Sequence, residues 1–182
     1  MKKVLLGFIS IIFATQVSFA QPVSDMAVIP MGITIQNIMR LTITKGGNME
    51  FVFKTASDIT NGLGPSTAYE TEGSVVASQA WQLDLSVDAA TFVGEVAATT
   101  IPLNVVEFTP TVAGTGAGTA FTGDLSNGWP SNYTIVNAGA VTSTATFNIA
   151  WECGTNNDIP ATTTSGRYTI NVLLSLLPED GF

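Results

Sequence analysis

Among the fourteen acidic residues of this 182-residue chain, Glu50, Glu70, Glu72, Asp84, Asp88, Glu95 and Glu107 are the ones whose types could do chemistry. Two carboxylates that share a cleft and have separated pKa values are the working pair of a glycoside hydrolase. Most of these seven instead fall on the polar side of a strand pattern or in a loop, where acids are ordinarily solvated. There is no histidine, which removes the commonest general base, the Ser-His-Asp and Cys-His arrangements, and histidine-containing zinc sites. Cys153 is the only cysteine, so no intrachain disulfide can form. Within Trp151-Glu152-Cys153-Gly154 it ends an apolar strand pattern, and a buried, inert thiol is expected there, with a reactive thiol or an intermolecular bridge as the alternatives.

Two loops are rich in oxygen, Asp124-Leu125-Ser126-Asn127 and Asn156-Asn157-Asp158. Calcium takes about six to eight oxygen ligands, and neither loop has the ligand density of an established calcium motif. The Gly114 to Gly118 run lacks the Lys-Ser/Thr ending of a phosphate loop. No catalytic residue, metal or cofactor is therefore assigned. Of the three tryptophans, Trp81 and Trp151 fit the inward phase of their strands and belong to the core. Trp129, between Gly128 and Pro130, is the candidate for an exposed contact with a sugar ring.

The elements that must position these groups are strands. Ile33, Ile35, Met39, Leu41 and Ile43 share one face of an extended run, with Ile38 the exception. Lys45-Gly46-Gly47-Asn48 is a turn signal, and Met49, Phe51 and Phe53 alternate after it, so the two runs are expected to form a β-hairpin. Asp58 to Pro65 is expected to be a loop. Tyr69 to Ala77 and Trp81 to Val87 are the next strands, the second with Trp81, Leu83, Leu85 and Val87 inward and Gln82, Asp84, Ser86 and Asp88 outward. Ile101 to Phe108 follows, then a surface excursion from Thr109 to Asn132 with at most a short strand near Ala120 to Thr122. Tyr133 to Asn137, Thr144 to Trp151 and Arg167 to Leu177 complete the set.

No stretch of ten or more mature residues carries a convincing helical stripe. The expected fold is all-β: a single antiparallel β-sandwich, Ig-like or pilin-like, of about eight to ten strands, with a barrel or jelly roll as the alternative.

The N-terminus supplies the cellular context. Lys2 and Lys3 precede an apolar run from Val4 to Ala14, and Ser18-Phe19-Ala20 stands directly before Gln21. This is the pattern of a secretory signal peptide spanning residues 1–20, leaving residues 21–182 as the β-sandwich domain. The apolar run is short of the roughly 20 residues that span a bilayer, and no cysteine follows the cut to take a lipid. Export is expected, to the cell surface, the extracellular space or the periplasm, with no transmembrane segment after cleavage. Loss of Lys2 and Lys3 leaves four basic residues, Arg40, Lys45, Lys54 and Arg167, against fourteen acidic ones, a formal net charge of −10. Four scattered cations do not make a nucleic-acid surface.

Trp81-Gln82-Leu83 inside a strand and a last strand opening with Gly166-Arg167-Tyr168-Thr169 are similar to features of the secreted pilin-like and WxL-like β-sandwich proteins of bacterial surfaces. The segments Leu41 to Phe51 and Arg167 to Val172 resemble a group of uncharacterised exported proteins of Bacteroidetes. That resemblance implies a surface protein and brings no activity and no catalytic residue with it. The expected function is a non-enzymatic structural or adhesive surface component, including a filament subunit that assembles by strand addition. The expected donor segment is Gln21 to Met31, with Val23, Met26, Val28 and Ile29 as its apolar anchors. The alternative is a secreted carbohydrate-binding module using Trp129. Self-association, other surface proteins or a glycan are the partners these readings imply.

Overall fold

Strict alternation of apolar and polar residues can bury only one side of a strand, so two such sheets must be laid face to face. In a computed structural model, which describes residues 26–95 and 99–179, the chain does this. Residues 1–20, the expected signal peptide, and Val23 lie outside the described residues. The chain divides after Thr34, and residues 26–34 have no regular secondary structure.

From Ile35 onward, the elements in order are β1 (Met39–Lys45), a helix α1 (Ala56–Asn61), β2 (Glu70–Ala77), β3 (Trp81–Val87), β4 (Thr91–Gly94) and β5 (Thr100–Pro102). A 3-10 turn at Leu103–Val105 leads into β6 (Val106–Ala113), β7 (Thr119–Ala120) and β8 (Gly123–Asp124). A second 3-10 turn at Leu125–Gly128 precedes β9 (Tyr133–Gly139), β10 (Thr142–Cys153), β11 (Tyr168–Thr169) and β12 (Val172–Pro178). Three antiparallel sheets result, ordered β1-β2-β10-β6-β8, β12-β3-β9-β7 and β11-β4-β5. The first two form the faces of an all-β sandwich.

Their inner faces supply the core. Val75 and Ala77 of β2, Phe108 of β6 and Phe147, Ile149 and Trp151 of β10 meet Trp81, Leu83, Leu85 and Val87 of β3 and Ile135 and Val136 of β9. Each fully buried aliphatic side chain contributes about 1.5–3 kcal/mol. Two glycines admit the large rings. A Cβ on Gly139 would lie 2.2 Å from the Trp81 indole, and one on Gly73 would lie 2.4 Å from the Phe147 ring. β2 and β3 are consecutive in sequence yet belong to opposite sheets, so the short link from Ser78 to Ala80 carries the chain across the core.

Several elements differ from those expected. β1 begins at Met39, and its partner is β2, with Met39 opposite Ala77 and Leu41 opposite Val75. The hairpin between β1 and Met49 to Phe53 does not form. Met49, Phe51 and Phe53 do pack on the core, but without a ladder. The alternation was a burial signal there, and burial needs no strand partner. The expected loop from Asp58 overlaps helix α1, whose start is fixed by a capping box. The Thr55 hydroxyl accepts from Asp58 N (3.1 Å), and the Asp58 carboxylate accepts from Thr55 N (2.9 Å).

The supposed excursion after Thr109 is more ordered than expected. β6 runs on through Pro110 to Ala113 beside β10. Gly154 N donates to Val105 O (2.8 Å), which sets the ladder's phase so that Pro110 turns its nitrogen away from β10. The missing N–H of proline thus costs no bond on that side. Further on, Leu125 is a core residue. The last expected strand is broken at Ile170 and Asn171 into β11 and β12.

Candidate functional site

Four of the seven carboxylates are carried by strands, Glu70 and Glu72 by β2, Asp84 by β3 and Glu107 by β6, while Glu50, Asp88 and Glu95 lie in connections. Glu70 and Glu72 project from the outer side of β2 and share one ammonium, with Lys45 Nζ at 2.8 Å from Glu70 Oε2 and 2.9 Å from Glu72 Oε1. Those hydrogen bonds hold the Glu70 carboxyl below its ordinary range and push the Lys45 ammonium up. Glu50 faces Arg167 at 3.7 Å across exposed surface. Asp84, expected on the outward side of β3, is on that side but buried. It accepts from Thr134 Oγ1 (2.8 Å) and Gln82 Nε2 (3.2 Å). Asp88 accepts from the backbone N–H of Asn171 (3.0 Å) and from its amide (2.5 Å), which lowers its pKa. Glu107 accepts from the amides of Asn156 (2.5 Å) and Asn157 (3.2 Å). Glu95 stands beside Arg167 through a backbone bond from its N–H (3.1 Å).

The same bonds account for the oxygen-rich loops. Asn156 and Asn157 turn N–H donors, not oxygens, toward Glu107. Asp124 caps the second 3-10 turn by accepting from Ser126 N (2.8 Å), while Asn127 Oδ1 accepts from Asp124 N (2.9 Å). Among the described residues no group of three or more His, Cys, Asp or Glu is placed to hold a metal ion. Cys153 is buried, and desolvation pushes its thiol up to about 12.

The tryptophans divide as expected. Trp81 and Trp151 are core residues, each with its indole N–H satisfied, Trp81 by Ala140 O (2.9 Å) and Trp151 by Thr71 Oγ1 (3.0 Å). Trp129 follows the 3-10 turn and leaves 41% of its surface exposed.

The most exposed large apolar side chains among the described residues lie elsewhere. Met26, Val28, Ile29, Met31, Ile33 and Ile35 are all between 80% and 89% exposed. Met26, Val28 and Ile29 were expected as anchors. Met31 ends the expected donor segment without being one of its anchors, and Ile33 and Ile35 fit the phase of β1. The signal that reveals them is the unbroken spacing of two from Ile29 to Ile35, with Pro30, Gly32 and Thr34 between.

A second apolar feature is the side of the sandwich where β1 and β12 run near one another as the edges of the two sheets, with no ladder between them. Leu174 and Leu176 stand opposite the fully buried Leu85 and Leu83, and Leu41 opposite the fully buried Val75, yet all three are only half-buried. The core is thinly covered along this seam. Among the described residues, no helix is long and apolar enough to cross a membrane. Comparison with known proteins finds no family model that matches the chain and no curated protein similar to it.

Proposed function

We propose that this chain is an exported, non-enzymatic β-sandwich that serves at the cell surface or in the extracellular space as a structural or adhesive component, assembling by donation of its N-terminal segment to the sheet of another chain. The observation that carries this reading is the exposure of Met26, Val28 and Ile29. Isolated exposed apolar residues need no explanation, but a contiguous apolar run marks a surface that binds something. An extended segment added to a sheet gains main-chain hydrogen bonds, and its alternate side chains fill pockets. The N-terminal pattern of residues 1–20 supports export, and the acidic balance of the remainder keeps such a protein soluble before it assembles.

Deleting Gln21 to Met31 tests the reading. Light scattering on the full and shortened chains at matched concentration should show association that depends on the segment, while circular dichroism shows both folded. Two monomeric proteins would remove the assembly reading. An unfolded truncated protein would show that the segment belongs to its own domain.

A second reading rests on Trp129, whose indole stays partly in solvent at the end of a 3-10 turn, as a stacking platform for a sugar ring requires. A polysaccharide pull-down comparing the native chain with Trp129→Ala separates it from self-assembly.

A further inference from the structure

Sheet edges offer unpaired N–H and C=O groups, and proteins guard them with charge, bulges, proline or brevity. Most edges among the described residues are guarded. β7, β8 and β11 are two residues long and β5 is three. β1 carries Arg40 and Lys45 and a break in register between Ile43 and Lys45. β12 differs: seven residues, Val-Leu-Leu-Ser-Leu-Leu-Pro, with no charge, no break in register and a single proline at its far end. Val172 and Leu173 are 38% and 48% exposed on it.

The phase of this edge follows from its flanks. Asp88 N donates to Asn171 O and Glu179 N donates to Ala80 O, each at 3.2 Å. In an antiparallel ladder the residues facing the partner alternate, so Leu173, Ser175 and Leu177 turn their backbone toward β3. Val172, Leu174 and Leu176 turn theirs to the open edge. These same three residues have their side chains on the core face, opposite Val87, Leu85 and Leu83.

We propose that the free edge of β12 accepts Ile29–Ile35 of a second copy of this chain, laid antiparallel to it. The inference rests on the assembly reading above, names its acceptor and shifts the paired part of the donor to Ile29–Ile35, where Met31, Ile33 and Ile35 are as exposed as Met26 and Val28. The match is one of length, spacing and polarity. Ile29 to Ile35 is also seven residues, uncharged, with four exposed apolar side chains at every second position against Val172, Leu174, Leu176 and Pro178, which share one side of β12.

Pro30 sets the direction. In the antiparallel arrangement the donor residues whose side chains join the core face also turn their N–H and C=O to β12. Those are Ile29, Met31, Ile33 and Ile35, and Pro30 faces away, where its missing N–H removes nothing. In the parallel arrangement Pro30 would have to donate and cannot. The resulting register places Ile35 opposite Val172, Ile33 opposite Leu174 and Met31 opposite Leu176 as fully bonded pairs, and Ile29 opposite Pro178, whose carbonyl accepts from Ile29 but which has no N–H to return.

The test uses two preparations of the full chain, one of them mass-tagged. One carries Val172→Cys and the other either Ile35→Cys or Ile29→Cys. Directly opposed residues of this kind lie about 5.5 Å apart at Cα, within disulfide reach, and the buried Cys153 does not compete. Mild oxidation of the mixture should link Val172→Cys to Ile35→Cys, and the link should be lost with Ile29→Cys. Light scattering should show that Ile33→Asp, on an exposed residue, abolishes association without changing the circular dichroism spectrum. An associating native chain that gives no Val172→Cys link would overturn the assignment to β12 and leave the assembly reading standing. A link to Ile29→Cys in preference would overturn the antiparallel arrangement. A monomeric native chain would remove both the acceptor and the assembly reading.

Discussion

Replacing Trp81 with alanine removes the largest fully buried side chain of the core, whose ring lies over Gly139 and whose indole N–H donates to Ala140 O at 2.9 Å. The neighbouring Leu83 and Leu85 belong to the same strand, and Gly139 has no side chain to swing into the space. The cavity therefore stays open, and the expected loss is about 3–5 kcal/mol, the range for truncating a buried aromatic. Set against the roughly 5–15 kcal/mol that holds a typical domain together, this brings the variant close to its unfolding threshold. With a urea dependence of about 2 kcal/mol per molar, the midpoint should fall by about 2 M. Trp129→Ala is the internal control. Its side chain is 41% exposed and it lies outside the core cluster, so it should cost under about 1 kcal/mol and leave the midpoint within about 0.5 M of the native value. Urea melts followed by circular dichroism measure both. Equal losses from the two substitutions would refute the assignment of one indole to the core and the other to solvent.

Cys153 should fail to react with a maleimide in the native protein at pH 8 and react fully in denaturant, since burial pushes its thiol up to about 12; native-state labelling read by mass spectrometry would contradict this. Lys45→Met should raise the titration midpoint of Glu70 toward the ordinary carboxylate value, read by carboxyl carbon NMR. Because the folded-state pKa of Glu70 is depressed, its contribution to stability is present above its unfolded pKa and is lost as pH falls through the folded value; an unmoved midpoint would show that the Lys45 contact does not persist in solution. Mass spectrometry of exported protein should find an N-terminus at Gln21, and a retained Met1 would defeat the export argument.

The strands that could be read from sequence are those with two unlike faces. Trp81 to Val87 and Phe147 to Trp151 alternate because one side meets the core and the other does not, and both appear where the alternation placed them. Partnership was illegible for the same reason. Met39, Leu41 and Ile43 show which face is apolar, but nothing local says that their neighbour lies some thirty residues on in β2. Helix α1 is six residues long, too short to show a stripe, although Thr55 and Asp58 carried its capping signal. At the candidate site, Met26, Val28 and Ile29 could be picked out as unclaimed apolar residues. Ile33 and Ile35 were masked by sharing the phase of β1. The acceptor strand could not be seen at all, because whether a strand lies at an edge is a property of the assembled sheet.

The position of β10 in the sheet order has a kinetic consequence. It sits between β2 and β6, and it is made after both. Until Thr142 to Cys153 is present, β2 has only β1 beside it and β6 only the two residues of β8. Likewise, β3 acquires β12 only after some ninety further residues of chain. Such a topology has high contact order, and domains of this kind close in milliseconds to seconds, not microseconds. A chain that crosses a membrane N-terminus first would therefore present its apolar leading segment while both main sheets were still incomplete. On the export reading proposed above, the period of greatest exposure to wrong partners falls before the sandwich exists.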